Sequence, residues 1–345
     1  LKAIGTETDS IVFDNYGDDR WSGFTLENAS DETTFEYVRL SGAEKGEGGG
    51  MYVRSSNPTL THVTIADNTS EFGGGMSLVT SSPTLTHVTI SGNMVSSSYG
   101  GGMYLEISNP TLTYVTISGN MAYYAGGGMY VYDSNPTLTH VTITDNTAKY
   151  GGGMYVRSSN PSNPTLTNPT LTHVTIADNT AEFGGGGMYV RSSNPILTNS
   201  ILWNNSPESI SIFVYSPGAP VITYSDVEGG WEGLGNIDAD PLFTDPNNGD
   251  YSLQDGSPCI DAGTADIDGD GVDDITDYIG SAPDMGAYEF GEPSIMAGDT
   301  NFDGEVNILD IVITVGFIVE YSVPTEEELQ AADYNGDNTI NVLDI

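Results

Sequence analysis

One stretch of the chain, residues 50–69, recurs in close copies until about residue 205. In each copy a glycine run leads into Met-Tyr-Val, then into Pro-Thr-Leu-Thr, and then into Val-Thr-Ile, or into variants of these segments. The methionine after the glycines marks the period at Met51, Met76, Met103, Met129, Met154 and Met188, in steps of 25, 27, 26, 25 and 34 residues. The last step is lengthened by an extra piece at residues 161–168. A fixed period in this range predicts a solenoid, in which like side chains stack on like.

The repeats are predicted to be strands, because apolar and polar residues alternate and Thr, Val, Ile and Tyr are frequent. Glycine runs and prolines interrupt every unit, which leaves no room for a helix of useful length. One repeat therefore corresponds to about one turn of a parallel β-helix. The pleat places the methionines and two further apolar rows inside, with an asparagine row at a corner. These rows are Leu60/Leu85/Leu112/Leu138/Leu171/Leu197, Ile65/Ile90/Ile117/Ile143/Ile176/Leu202 and Asn68/Asn93/Asn120/Asn146/Asn179/Asn205.

Two short signatures carry a resemblance to known repeats. Gly49-Gly50-Met51 and Ile65-x-x-Asn68 resemble the signatures of right-handed parallel β-helix repeats in bacterial surface proteins, including the polymorphic outer-membrane protein type. The resemblance covers most of residues 20–290 and implies an all-β, right-handed parallel β-helix. That family contains adhesins and lyases, so the resemblance leaves the function open.

Three later motifs resemble the closing region of bacterial β-helix proteins described as choice-of-anchor Q proteins. They span residues 235–243, 256–263 and 284–289. We therefore expect irregular coils and a cap at residues 1–50, regular coils at 51–205, degenerate coils and a closing region at 206–292, and a separate module at 297–345. Solenoids need such caps to cover their open ends.

The charge of the chain excludes several classes of partner. The formal net charge is −40, and no Lys or Arg follows Arg191. Such a surface does not bind nucleic acid or anionic lipid by charge, and it attracts cations, most plausibly Ca²⁺. No apolar run is long enough to span a membrane. Cys259, the only cysteine, is expected to be a small buried side chain rather than a nucleophile.

Residues 266–277 have the spacing of a twelve-residue calcium loop. Acidic residues stand at positions 1, 3, 5, 9 and 12, and a glycine stands at position 6. A hard cation needs several carboxylate oxygens that converge on it, and glycine permits the sharp turn. The predicted ligands are Asp266, Asp268, Asp270, Asp274 and Asp277. An acidic surface loop without a metal is the alternative.

Residues 297–345 contain two further loops of this kind, and an apolar segment at 311–321 between them is predicted to be a helix. The pair resembles a type I dockerin, which implies two Ca²⁺ ions and a cohesin-like or other surface scaffold as partner. Carried over by position, the first set is Asp299, Asn301, Asp303, Glu305 (carbonyl), Asn307 and Asp310. The second set is Asp333, Asn335, Asp337, Thr339 (carbonyl), Asn341 and Asp344. Apolar residues at loop positions 10 and 11 differ from the Ser-Thr pair of many cellulosomal dockerins.

An outward row of tyrosines is the candidate ligand-binding face. It contains Tyr52, Tyr104, Tyr130, Tyr155 and Tyr189, and the next outward row contains Arg54, Glu106, Tyr132, Arg157 and Arg191. Aromatic faces beside planar guanidinium groups suit sugar rings and the carboxylates of acidic sugars. The alternative is that the rings only stack and stabilise the sheet.

Other rows have simpler explanations. His62, His87, His140 and His173 share one register and either bind a metal or form a stacked corner row, and Tyr114 interrupts them. Outward threonine rows are typical of ice-binding β-helices and equally of ordinary strand surfaces. The carboxylates Asp67, Asp145 and Asp178 recur beside the corner asparagines, as structural residues do.

The sequence as a whole indicates a secreted or bacterial cell-surface protein that binds a glycan or another surface and attaches to a scaffold through a calcium-dependent module. No catalytic residue is predicted. The chain offers few bases and no obvious pair of convergent carboxylates in its coils. A polysaccharide lyase or glycoside hydrolase on the same scaffold is the alternative, followed by an ice-binding or purely structural surface protein.

Overall fold

The computed structural model describes residues 1–6, 9–15, 21–159, 167–213, 218–291, 300, 308–319 and 332, with only the backbone described at 308–310. The chain divides into two compact units. The first contains Leu1–Ile4 and Val12–Phe290, and the second contains Gly5–Ile11 and Gly291–Ile345.

The first unit is a parallel β-solenoid of about 8 turns. Its described strands form three large sheets built from parallel strand pairs and one two-stranded antiparallel hairpin. Sheet 1 contains β1 (Lys2–Ile4), β2 (Ile11–Phe13), β4 (Thr34–Ser41), β7 (Thr59–Ala66), β10 (Thr84–Thr86), β11 (Thr89–Ser91), β14 (Thr111–Thr113), β15 (Thr116–Ser118), β18 (Thr137–Thr144), β21 (Thr170–Ala177), β24 (Ile196–Thr198), β25 (Ile201–Trp203), β27 (Val221–Thr223) and β28 (Asp226–Val227). Sheet 2 contains β3 (Phe24–Glu27), β6 (Met51–Arg54), β9 (Met76–Val79), β13 (Met103–Glu106), β17 (Met129–Tyr132), β20 (Met154–Arg157), β23 (Met188–Arg191) and β26 (Ile210–Ile212). Sheet 3 contains β5 (Glu44–Glu47), β8 (Thr69–Phe72), β12 (Met94–Tyr99), β16 (Met121–Ala122), β19 (Thr147–Tyr150) and β22 (Thr180–Gly184).

The register of the sheets confirms the predicted inner rows. Met103 pairs with Met76 on one side and Met129 on the other, and Leu85 pairs in the same way with Leu60 and Leu112. Every member of the methionine, leucine and isoleucine rows is fully buried. The core therefore contains stacked copies of the same side chain, as a period-two strand pattern requires.

The corner asparagines form a buried hydrogen-bonded ladder, as predicted. The side-chain oxygen of Asn120 accepts from the backbone N–H and the amide of Asn93, both at 3.0 Å. Its own amide donates to Ile90 O at 2.9 Å and to Asn146 Oδ1 at 3.0 Å. The ladder thus satisfies backbone groups that a corner would otherwise leave without partners.

The histidine row is a stack of parallel rings, which agrees with the structural interpretation. Ring centroids lie 4.8 Å apart for His62 and His87 and 4.9 Å apart for His140 and His173, and Tyr114 fits between the two pairs. Residues of this row adopt positive φ near 50°. Burial lowers the pKa of His173 to about 4, which keeps its ring neutral.

The closing region packs against the last coils of sheet 1. His140 Nδ1 donates to the Ala287 carbonyl at 3.1 Å, and the Ala287 N–H donates to Thr175 Oγ1 at 3.0 Å. Thr142 and Thr175 are buried in consequence. The outward threonine row is therefore covered at these two coils, which shortens the flat array that an ice-binding face needs.

An antiparallel hairpin completes the first unit. It consists of β29 (Phe243–Asp245), a 3₁₀ turn at Pro246–Asn248 and β30 (Asp250–Leu253). Cys259 is fully buried close by, and its thiol donates to Asp226 Oδ2 at 3.4 Å. Burial raises the pKa of this thiol, so Cys259 has the structural character expected from the sequence.

In the second unit, the described secondary structure is α1 (Ile308–Ile318), an 11-residue helix. The helix begins three residues before the predicted segment 311–321, at position 10 of the first calcium loop. It ends three residues before the end of that segment. Within the described residues, no helix is both long and apolar enough to cross a bilayer.

Candidate functional site

The tyrosines on the outer face of sheet 2 stack in register. Adjacent rings lie parallel, with centroids 5.5 Å apart for Tyr104 and Tyr130, 5.2 Å for Tyr130 and Tyr155, and 5.1 Å for Tyr155 and Tyr189. The stacking follows from the strand pairing, because each tyrosine lies one residue after the buried methionine of its coil. Tyr52 is separated from this row by Ser77, which takes the tyrosine position of the next coil.

A second aromatic row, which was not predicted from the sequence, lies beside the first. Its members are Phe72, Tyr99, Tyr150 and Phe183, which directly precede the glycine runs, and Tyr124, which lies one residue before Ala125 in the equivalent place. The ring of Tyr99 lies 4.6 Å from that of Tyr130, and Tyr150 meets Tyr189 edge-on at 5.3 Å. The available signal was an aromatic residue directly before four of the glycine runs, at Phe72, Tyr99, Tyr150 and Phe183.

The second row covers part of the first, so the tyrosines are less open than expected. Tyr130 and Tyr155 point outward from the coil but are only 3% and 7% exposed. Burial raises the pKa of both phenols, which therefore stay protonated at neutral pH. A ligand would reach their edges and hydroxyl groups rather than their flat faces.

Arg157 and Arg191 complete the site from adjacent coils. The Arg157 side chain lies beside Tyr130 and that of Arg191 beside Tyr155, and each guanidinium partly offsets the rise that burial causes in the pKa of its tyrosine. The Arg191 guanidinium also lies 4.7 Å from the centre of the Phe213 ring. Within the described residues, neither arginine forms an ion pair with a carboxylate.

Arg54, in the same row, has a different environment. Its guanidinium lies 3.8 Å from the Glu27 carboxylate. Glu106, which takes this position between them, accepts a hydrogen bond from the Tyr104 hydroxyl at 3.2 Å. The positive charge of the row is therefore paired with a carboxylate at Arg54, whereas Arg157 and Arg191 have no ion pair in the part of the chain that the structure describes.

These side chains line a groove of about 200 Å³. Its lining contains Tyr99, Tyr124, Tyr130, Tyr150, Tyr155, Arg157, Tyr189, Arg191 and Phe213, and we refer to it as the tyrosine–arginine groove. The structure thus brings together five of the candidate ligand-binding residues, Tyr130, Tyr155, Tyr189, Arg157 and Arg191. Tyr104 and Tyr132 flank the groove, whereas Tyr52 and Arg54 lie several coils away.

The 266–277 loop gathers three of its five predicted ligands. Carboxylate oxygens of Asp266, Asp268 and Asp274 lie within 4.8 Å of one another, and Asp270 and Asp277 do not belong to this group. Asp266 accepts hydrogen bonds from the N–H groups of Gly269 and Gly271 at 2.7 and 2.9 Å. The loop therefore curls around its first aspartate, as a calcium loop does.

The predicted ligands of the C-terminal module fall outside the described side chains. Asp310 lies in α1 with only its backbone described. The others are Asp299, Asn301, Asp303, Glu305, Asn307, Asp333, Asn335, Asp337, Thr339, Asn341 and Asp344. Their role as calcium ligands stays a prediction.

Comparison with known proteins identifies both parts of the chain. A family model for the right handed beta helix region matches residues 6–168 and 108–234, and a model for the dockerin type I domain matches residues 297–345. No curated protein matches the chain. Among solved structures, the chain is similar to one titled "Crystal structure of pectate lyase Pel9A", with 15% sequence identity and a TM-score of 0.49 over 84% of this chain and 79% of that one.

Proposed function

Because the chain belongs to the right-handed β-helix family and carries a type I dockerin domain, we propose that it is a scaffold-attached surface protein whose tyrosine–arginine groove binds an acidic glycan. Dockerin domains bind cohesin modules of scaffold proteins, which indicates an extracellular, cell-surface location. In this proposal the β-helix is the part of the protein that binds the ligand.

The choice of ligand rests on Arg157 and Arg191, which form no ion pair with any carboxylate that the structure describes. The chain has 8 basic residues against 48 acidic ones, and two of the basic residues lie side by side in one groove. Keeping two like charges adjacent costs free energy, and a bound anion offsets that cost. A guanidinium group binds a carboxylate through two parallel hydrogen bonds, so a uronate residue matches each arginine.

The aromatic lining favours a sugar over a simple anion. Tyrosine hydroxyls donate and accept hydrogen bonds, and the exposed ring edges pack against the C–H groups of a pyranose. Successive rings and arginines repeat once per coil, so the groove can contact more than one unit of a polymer that runs along the solenoid. We therefore infer a polyuronate or a similar acidic polysaccharide.

The groove prediction is tested by replacing both arginines. We expect Arg157→Gln with Arg191→Gln to weaken binding of alginate or polygalacturonate oligosaccharides by about 100-fold, since each charge-assisted pair contributes about tenfold or more. Titration calorimetry on the full chain measures this. Arg54→Gln is the matched control, because Arg54 occupies the same row but pairs with Glu27.

Two results would contradict the groove proposal. One is unchanged affinity in the double variant, and the other is an equal loss in Arg54→Gln. The same polymers are also assayed for new unsaturated or reducing ends. Their release by the wild-type protein would replace the binding role with that of a polysaccharide lyase or glycoside hydrolase.

Calcium binding is the second part of the proposed function. Type I dockerin domains bind calcium, and we expect one ion in each C-terminal loop and a third in the 266–277 loop. Calorimetric titration of the full chain with Ca²⁺ should then show three sites.

Variants separate the three calcium sites. Asp303→Ala with Asp337→Ala should leave one site, and Asp266→Ala with Asp274→Ala should leave two. Asp255→Ala, an exposed aspartate outside the three loops, serves as the control. A full set of three sites in either double variant would overturn the assignment.

A further inference from the structure

A second cavity lies beside the ends of β21 and β25, and it shares no lining residue with the tyrosine–arginine groove. It has a volume of about 270 Å³ and is formed between two stacked coil corners and the β29–β30 hairpin. We call it the corner pocket. Its lining contains Asp178, Trp203, Asn204, Asp240, Leu242, Phe243, Pro246 and Gln254.

A buried tyrosine fixes the geometry of the corner pocket. The Tyr251 hydroxyl donates to Asp178 Oδ2 at 2.8 Å, and its ring meets Phe243 edge-on at 5.2 Å. The other Asp178 oxygen accepts from the amide of Asn204. Burial raises the pKa of Tyr251, so the phenol remains a hydrogen-bond donor. Asp178 is therefore held in one position by a tyrosine from the hairpin and an asparagine from the next corner.

The rim opposite Asp178 keeps polar groups available. Asp240 Oδ1 accepts from the Leu242 N–H at 3.0 Å, and within the described residues its other oxygen has no hydrogen-bond partner. The Gln254 amide donates to the Phe243 carbonyl at 2.8 Å, which leaves its own oxygen as an acceptor. Leu242, which is 38% exposed, adopts a φ of 53°. This left-handed conformation is strained for a bulky residue.

The charges of the corner pocket select against acidic ligands. Two carboxylates line it, and none of its lining residues is Lys, Arg or His. A uronate is therefore repelled here, in contrast to the tyrosine–arginine groove. A tightly held divalent cation is also disfavoured. Within the described part of the chain, three acidic side chains converge only at Asp266, Asp268 and Asp274.

The remaining chemistry is that of a neutral sugar site. The indole of Trp203, with Leu242, Phe243 and Pro246, supplies apolar surface for the C–H groups of a pyranose. Carboxylate and amide oxygens accept hydrogen bonds from ring hydroxyls, and adjacent hydroxyls can share one carboxylate. We propose that the corner pocket binds one neutral sugar residue, with Asp178 and Asp240 as hydroxyl acceptors and Trp203 as the apolar platform.

The test uses the full chain and small neutral probes. Methyl glycosides of glucose, galactose and mannose are titrated while tryptophan fluorescence and saturation-transfer NMR are recorded. We expect saturable binding of at least one of the three, weakened about tenfold in Asp240→Asn, because the substitution removes the acceptor's charge and replaces one acceptor oxygen by an NH₂ donor. Trp203→Phe should remove the fluorescence change and weaken binding. Asp240 is exposed, so its variant provides a test that does not depend on a core substitution.

The controls separate this proposal from the first. Arg157→Gln with Arg191→Gln should leave binding of the neutral probe unchanged, and Asp240→Asn should leave binding of the acidic polymer unchanged. Glucuronate and galacturonate should not displace the neutral glycoside. The proposal is overturned if none of the three glycosides binds, if Asp240→Asn and Trp203→Phe retain full affinity, or if the uronates compete.

Discussion

Asn120→Ala is expected to lower the free energy of unfolding by about 3–5 kcal/mol, because it leaves buried polar groups without partners. The substitution removes four side-chain hydrogen bonds at a position that is 1% exposed. The backbone N–H of Asn93 and the carbonyl of Ile90 lose their acceptor and donor in the interior. Alanine replaces neither.

Urea unfolding followed by circular dichroism measures the effect of Asn120→Ala. Asn247→Ala is the control, since Asn247 is exposed in the 3₁₀ turn of the hairpin and should change the unfolding free energy by less than about 0.5 kcal/mol. Equal midpoints for the two variants would show that the asparagine ladder does not hold the coils together.

Gly127→Ala is expected to be at least as damaging, for a steric reason. A Cβ at this position would lie 2.4 Å from the Gly152 carbonyl oxygen and 2.7 Å from the Thr147 backbone nitrogen. Both are backbone atoms of the next coil, so no side chain can rotate away and the coils must separate. Overpacking that the backbone has to absorb costs about 3 kcal/mol or more.

Gly46→Ala is the matched control for the glycine turn. A Cβ at Gly46 has no atom within 4 Å, and the residue is exposed in β5. The free energy of unfolding of Gly46→Ala should stay the same or rise slightly, because alanine restricts the conformations of the unfolded chain. If Gly127→Ala were as stable as Gly46→Ala, the claim that neighbouring coils approach too closely at the glycine runs to admit a Cβ would be contradicted.

The repeating part of the fold could be predicted because its signals are local and occur many times. Alternation placed Met103 and Leu105 inside, and the period placed each residue over its equivalent in the next coil. The resemblances to β-helix repeats and to a type I dockerin were likewise carried by short motifs, and both are confirmed by the family matches.

The parts that could not be predicted depend on contacts made once. The path of the closing segment over His140 joins residues 147 positions apart and has no periodic signal. The corner pocket needs the hairpin that carries Tyr251 to fold back onto Asp178. Alternation alone does not specify where the residue before a glycine turn points. The burial of Tyr130 and Tyr155 beneath the second aromatic row therefore could not be predicted.

The most direct test of the central claim compares two polymers that differ only in charge. Titration calorimetry of the wild-type chain with polygalacturonate and with its carboxyl-reduced form isolates the contribution of the uronate groups. We predict binding of the acidic polymer, weakening as salt is raised, and at least about tenfold weaker binding of the reduced polymer. Equal affinity for the two polymers, unaffected by salt, would contradict an acidic-glycan role for Arg157 and Arg191.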